Sequence, residues 1–176
     1  TVVTLTAEPD AGSIFGGWSG ACTGSNPVCL ITMGGDRAAA ASFLPVFHTL
    51  TVARSGDGIG AVTGAGGAID CGATCSADLR QATTVTLTAT AGAGSIFLGW
   101  SGACAGTLAT CTVSIDGNRG VTALFKARYA LTVTPSGAGA GSVASDVGLV
   151  ACSPTWTDTY TSGDIVTLSA TPDPNS

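Results

Sequence analysis

A chain of 176 residues with 26 glycines, 45% hydrophobic residues and only 10% charged ones is neither a disordered polyelectrolyte nor an ordinary cytosolic enzyme. Its formal charge of −5, from 11 acids against 6 bases, leaves no basic face to neutralise phosphates, so nucleic acid is not expected as a partner. Apolar residues come in short runs, none near the roughly 18 that a membrane helix needs, and no membrane insertion is expected of this segment.

Residues 17–22 and 99–104 both read GWSGAC, and they mark a repeat. A shift of 82 residues lays Thr4-Leu5-Thr6-Ala7 on Thr86-Leu87-Thr88-Ala89 and carries Trp18 to Trp100, Cys22 to Cys104, Cys29 to Cys111 and Phe43 to Phe125. A shift of 81 lays Leu50-Thr51-Val52 on Leu131-Thr132-Val133, Cys71 on Cys152, and Val85-Thr86-Leu87 on Val166-Thr167-Leu168. In this register the chain holds the back portion of a first unit (1–48), a complete unit (49–128) and the front portion of a third (129–176). The window reads as one cut from a longer tandem array. The competing reading is a subunit whose incomplete ends complete one another head to tail in an open polymer.

Within the complete unit, the elements follow from period-two alternation and turn residues. Leu50 and Val52 open a strand, Ser55-Gly56-Asp57-Gly58 turns the chain, and a second strand contains Val62. Residues 76–82, within SADLRQA, are the only stretch expected to make a turn or two of helix. Residues 83–90 read as a half-buried strand, with Val85, Leu87 and Ala89 facing inward and Thr84, Thr86 and Thr88 outward. Residues 112–115, with Val113 and Ile115 inward, and the segment of Val121, Ala123 and Phe125 are expected to pair as a hairpin around Asp116-Gly117-Asn118. Five or six short strands in about 80 residues give a thin core that calls for reinforcement.

The cysteines supply it. Cys22 and Cys29 share their spacing with Cys104 and Cys111, and the complete unit adds Cys71 with Cys75. Local disulfides are the natural reading and place the protein in an oxidising compartment. The alternative, a zinc site using Cys71, Cys75, Cys104 and Cys111, needs four thiolates to converge on one metal. The third unit argues against it, because Trp156 stands where Cys75 stands in the second. No cofactor is therefore expected. Cys152 has no obvious partner in this window and is read as free and buried, or as bridging to a neighbouring unit or chain.

Little else carries chemistry. His48, the single histidine, has no counterpart one period away, and nothing suggests the third group that would hold it as a catalytic base. Glu8 and the ten aspartates sit mostly beside Gly, Pro or Asn or in loops, which makes them turn residues before paired acids. Asp36 and Asp116 occupy equivalent turns and fall short of the roughly 6 to 8 oxygens that calcium takes. No enzyme is expected. Trp18 and Trp100, each between Gly and Ser, are read as core anchors, and Trp156 as a partly exposed contact residue.

The order LTV, SGxG, a Val strand, xCGxxC, VTLTA, GSIFxGWSGAC, CxV and VTAxF resembles the divergent internalin-type B-repeat, a bacterial module found in tandem on surface and secreted proteins. The resemblance rests on residues 50–60, 70–75, 85–89, 94–104, 111–115 and 121–125. It implies an all-β fold of small, disulfide-stapled units related to the β-grasp proteins, with no catalytic residues to carry over. It also implies a spacer, stalk or adhesive element; low charge, Thr-rich outer faces and strand edges little protected by charge lean toward an extracellular or cell-surface stalk or filament whose partners are neighbouring units or copies of itself. The alternative is an adhesive or carbohydrate-binding module, attached to a secreted enzyme or surface anchor, with a host or glycan ligand.

Overall fold

The computed structural model describes residues 1–64, 66–72, 74–147 and 155–174. In chain order its strands are β1 (Val2–Thr6), β2 (Ser13–Gly20), β3 (Val28–Thr32), β4 (Ala39–Pro45), β5 (Phe47–Ser55), β6 (Gly60–Gly64), β7 (Asp70–Cys71) and β8 (Thr74–Arg80). They continue as β9 (Thr83–Ala91), β10 (Ser95–Gly102), β11 (Thr110–Ile115), β12 (Arg119–Val133), β13 (Gly141–Ser145), β14 (Trp156–Thr161) and β15 (Leu168–Pro172). The fold is all-β, and no helix occurs among the described residues.

The complete unit is a sandwich of two sheets. One has the order β10-β12-β5-β8 and the other β11-β9-β6-β7. Between them lies a core that includes Leu50, Val52, Val62, Ile69, Leu87, Val113, Ile115, Val121 and Phe125. The alternation expected of β9 is borne out: Val85, Leu87 and Ala89 are buried and Thr84 and Thr86 exposed, with the hydroxyls of Thr86 and Thr112 meeting 3.2 Å apart on the outer face. Cross-strand threonine pairs of this kind stabilise a sheet face that must meet water.

Two expectations are corrected. Residues 76–82 make no helical turn, because most of them belong to β8, which pairs antiparallel with β5 from Phe47↔Arg80 to Ala53↔Thr74. Their alternation explains it: Cys75, Ala77 and Leu79 pack against the core while Ser76, Asp78 and Arg80 are exposed. The hairpin across Asp116-Gly117-Asn118 does not form either. β11 pairs with β9, and β12 pairs with β10 and β5, so the link crosses from one sheet to the other. Alternation fixes the face a strand buries but not its neighbour, and inward residues of β11 and β12 meet across the core as readily as side by side. With β7 and β8 included, the complete unit has eight strands instead of five or six.

The first and last strands of the unit, β5 and β12, are parallel neighbours in register from Arg119↔Leu50 to Leu124↔Ser55. The 15-residue β12 then runs on, and its residues 128–133 pair with β14 as β5 pairs with β8. The partial units repeat the same plan. The pairs β1–β3 and β2–β4 reproduce β9–β11 and β10–β12, including the bulge between Phe15 and Gly17 that matches the one between Phe97 and Gly99. The pair β13–β15 likewise reproduces β6–β9.

Candidate functional site

The two GWSGAC segments form the same staple. After the bulge, Trp100 turns its ring inward and is 6% exposed, edge-on to Phe97 at 5.2 Å. Its backbone N–H donates to Gly106 O at 2.8 Å and its indole N–H to Leu108 O at 2.9 Å, so one residue holds the following loop twice. Trp18 does the same with Gly24 O at 2.9 Å and Asn26 O at 3.0 Å. Cys104–Cys111 and Cys22–Cys29 then close that loop as disulfides, with Cα separations of 6.3 and 6.1 Å that suit the bond. The staple therefore secures the loop leading into β11 or β3.

The glycines of the motif are dictated by the backbone. Gly102 has φ +93, and a Cβ there would lie 2.4 Å from Gly120 O, while Gly20 has φ +83 and meets Ala38 O in the same way. Only glycine occupies such a position without strain. Cys71 and Cys75, bonded at a Cα separation of 5.4 Å, tie β7 to β8 and so join the two sheets at one rim. The four cysteines considered for zinc are thus consumed in two disulfides, and among the described residues no group of three His, Cys, Asp or Glu side chains is placed to hold a metal.

Trp18 is only half-buried, and Phe43 is 45% exposed where its counterpart Phe125 is 0%. The cause is local: β4 pairs with β2 alone, whereas β12 is flanked by β10 and β5. Shallow depressions of about 380 and 310 Å³ flank Trp100, one lined by Cys104, Leu108 and Cys111, the other by Leu98 and Leu124. The buried indole offers no exposed face to a ligand in either. His48 is half-buried on β5 opposite Leu79, and Asp36 is exposed. Asp116 pairs with Arg119, whose hydrogen bond holds its carboxyl below the usual carboxylate range. Trp156 is half-buried on β14 opposite Val133, its ring 6.4 Å from that of Tyr160. Cys152 lies outside the described residues.

The structure adds a feature that the motifs did not announce, the joint between units. At both boundaries the same bonds recur. Val46 N donates to Gly12 O at 3.0 Å and Arg128 N to Gly94 O at 2.8 Å; Gln81 N donates to Val46 O at 2.8 Å and Ser162 N to Ala127 O at 2.7 Å. At the second boundary Asp57 accepts from Ala127 N at 3.1 Å and from the Ser162 hydroxyl, with Lys126 Nζ at 4.0 Å. The Ser162 hydroxyl, then the Ala127 amide, lower the carboxyl of Asp57 from its ordinary value. A signal existed in the sequence: Asp57 replaces an alanine, Ala138, at the matching position of the next unit.

No curated protein and no solved structure matches the chain. A family model does: the divergent InlB B-repeat domain matches residues 1–46 and again 50–128. The two matches fall on the segments that carry the two staples, each with its GWSGAC, its tryptophan clamp and its disulfide, and the chain belongs to the divergent InlB B-repeat family.

Proposed function

We propose that the chain is a non-enzymatic structural repeat array of a bacterial surface or secreted protein, its stapled units stacked end to end as a stiff stalk or filament. The observation that carries this reading is the joint. β12 closes one unit and opens the next as a single strand, and only Val46 separates β4 from β5. A flexible linker is what ordinarily lets neighbouring domains move, and here its place is taken by strand and by recurring hydrogen bonds. The disulfides and the family suit an extracellular or surface setting. The partners in this reading are neighbouring units. A second copy joined head to tail would have to displace β1 or β15, since both correspond to the slot that β9 fills in the complete unit.

Small-angle X-ray scattering of the 176-residue chain tests the reading. A profile fitted by one rigid conformation, broadening when a Gly-Ser insert is placed between Ala127 and Arg128, supports it. A native chain fitted only by a broad ensemble sinks it.

One observation favours the adhesive alternative. Trp156, Asp158 and Tyr160 alternate on β14 and so share a face, where the complete unit has Cys75, Ala77 and Leu79. Aromatic rings beside a carboxylate suit a saccharide, but the matching face packs against the core in the complete unit and these three residues are half-buried, so the alternative requires that face to stay uncovered. Titration with soluble oligosaccharides, read by tryptophan fluorescence, should give a response lost in Trp156→Phe; no response in the native chain ends this alternative.

A further inference from the structure

Tension along the chain enters the complete unit at the start of β5 and leaves it near residue 128, partway along β12 and past the end of its pairing with β5. These two strands are parallel nearest neighbours, so the points of entry and exit lie at opposite ends of one ladder. Pulling them apart slides β5 along β12. In this geometry the evenly spaced bonds across residues 50–55 and 119–124 bear the load together. An antiparallel hairpin pulled at its two adjacent ends peels instead, one bond at a time.

Both ends of the ladder are also fastened. Where load enters, Thr49 N donates to Asn118 Oδ1 at 3.0 Å. Where it leaves, Gly58 N donates to Phe125 O at 3.1 Å and Ala127 N to Asp57 Oδ1 at 3.1 Å, so the loop after β5 straps the end of β12. On either side, β10 and β8 hold the two strands in the middle of the sheet.

We propose that the complete unit is a shear clamp and that the array has the further function of carrying tensile force. This deepens the stalk reading and takes its setting from it, but the clamp is a property of one unit and is tested on its own. Resistance to forced unfolding follows the unfolding barrier and not equilibrium stability, so the direction of pulling decides it.

The experiment is single-molecule force spectroscopy on the full oxidised chain along two axes. One runs from residue 1 to residue 176. The other runs from residue 1 to an attachment residue at Gly117, a turn position where an added side chain meets no neighbour. The second axis loads β5 and β12 at the same end of the ladder and peels them apart, with the fold unchanged. The end-to-end axis should give a last force peak at least twofold above any peak on the Gly117 axis. Reduction should lengthen the extension that follows this peak by about 27 Å, because Cys71–Cys75 and Cys104–Cys111 close sequence separations of 4 and 7 that extend at roughly 3.5 Å per residue, less the 5.4 and 6.3 Å that the bonded Cα pairs already span. Equal forces on the two axes, or gradual end-to-end lengthening without a final peak, would overturn the clamp. A chain whose units prove hinged in scattering would lose the stalk reading and still show this peak.

Discussion

Phe125 and Phe43 occupy the same repeat position in two environments, and replacing each by alanine separates the core of the complete unit from the open face of the first. The Phe125 ring is 0% exposed and packs 5.4 Å from that of Phe97, between two sheets. Its loss removes a fully buried aromatic and leaves a cavity, which costs about 3 to 5 kcal/mol. That is a large share of the roughly 5 to 15 kcal/mol available to a domain. Phe43 already keeps 45% of its surface in water, and its ring meets that of Phe15 at 5.9 Å in a two-stranded sheet. Its replacement should cost about 1 to 2 kcal/mol and act on β2 and β4 alone. Urea unfolding followed by near-ultraviolet circular dichroism should move the main transition of Phe125→Ala down by about 2 M or more, taking an m-value near the low end for a small domain. Phe43→Ala should leave that transition within about 0.5 M of the native one. Equal shifts for the two substitutions would refute the reasoning, since the repeat position and not its environment would then set the cost.

Four further outcomes follow from named contacts. Gly102→Ala forces a Cβ onto Gly120 O at a positive φ and should cost about 2 to 3 kcal/mol in thermal or urea unfolding, whereas Gly117→Ala, in open space, should stay within about 0.5 kcal/mol. Ala82 has φ +63 where the third unit has Gly163 at φ +93, so Ala82→Gly should raise stability by roughly 0.5 to 1 kcal/mol; a loss would contradict it. The lowered carboxyl of Asp57 stabilises the joint while ionised, so its contribution is complete above the ordinary value of 3.8 and fades as pH falls through the lower folded value. The Ala127 amide resonance should accordingly hold steady from neutral pH to about pH 4 and shift only in stronger acid, a step absent in Asp57→Asn. Reduction removes two short-loop disulfides from the complete unit, each worth roughly 2 to 2.5 kcal/mol in the chain-entropy model, and an unchanged melting temperature with reductant would contradict the staple.

Much of this architecture was legible because a repeat reports the same physics twice. The inward set Val85, Leu87 and Ala89 and the disulfide partners follow from local spacing, which alternation and short loops fix within a few residues. The pairing of β5 with β12 was not legible, since it joins residues about 70 apart and period-two patterns do not name a neighbour. The same blindness produced the expected hairpin at Asp116, where the turn residues are real and the chain uses them to change sheets. Residues 76–82 lack a helix because an edge position beside β5 and the Cys71–Cys75 bond favour extension over a weak local preference. At the joint, the difference between Asp57 and Ala138 marks the position but not its role, because the residue sits in an ordinary Gly-Asp-Gly turn and accepts from Ser162, 105 residues away.

The central claim is that neighbouring units, joined by one shared strand at the second boundary and by a single residue at the first, move as one body. Residual dipolar couplings on the oxidised chain in a weakly aligning medium test it most directly, using amides of β9 and β11 for the complete unit, β1 and β3 for the first, and β14 for the third. Joints without linkers require a single alignment tensor to fit all three sets. Tensors that differ in magnitude or orientation between sets would show hinges at residues 46 and 127 and contradict it.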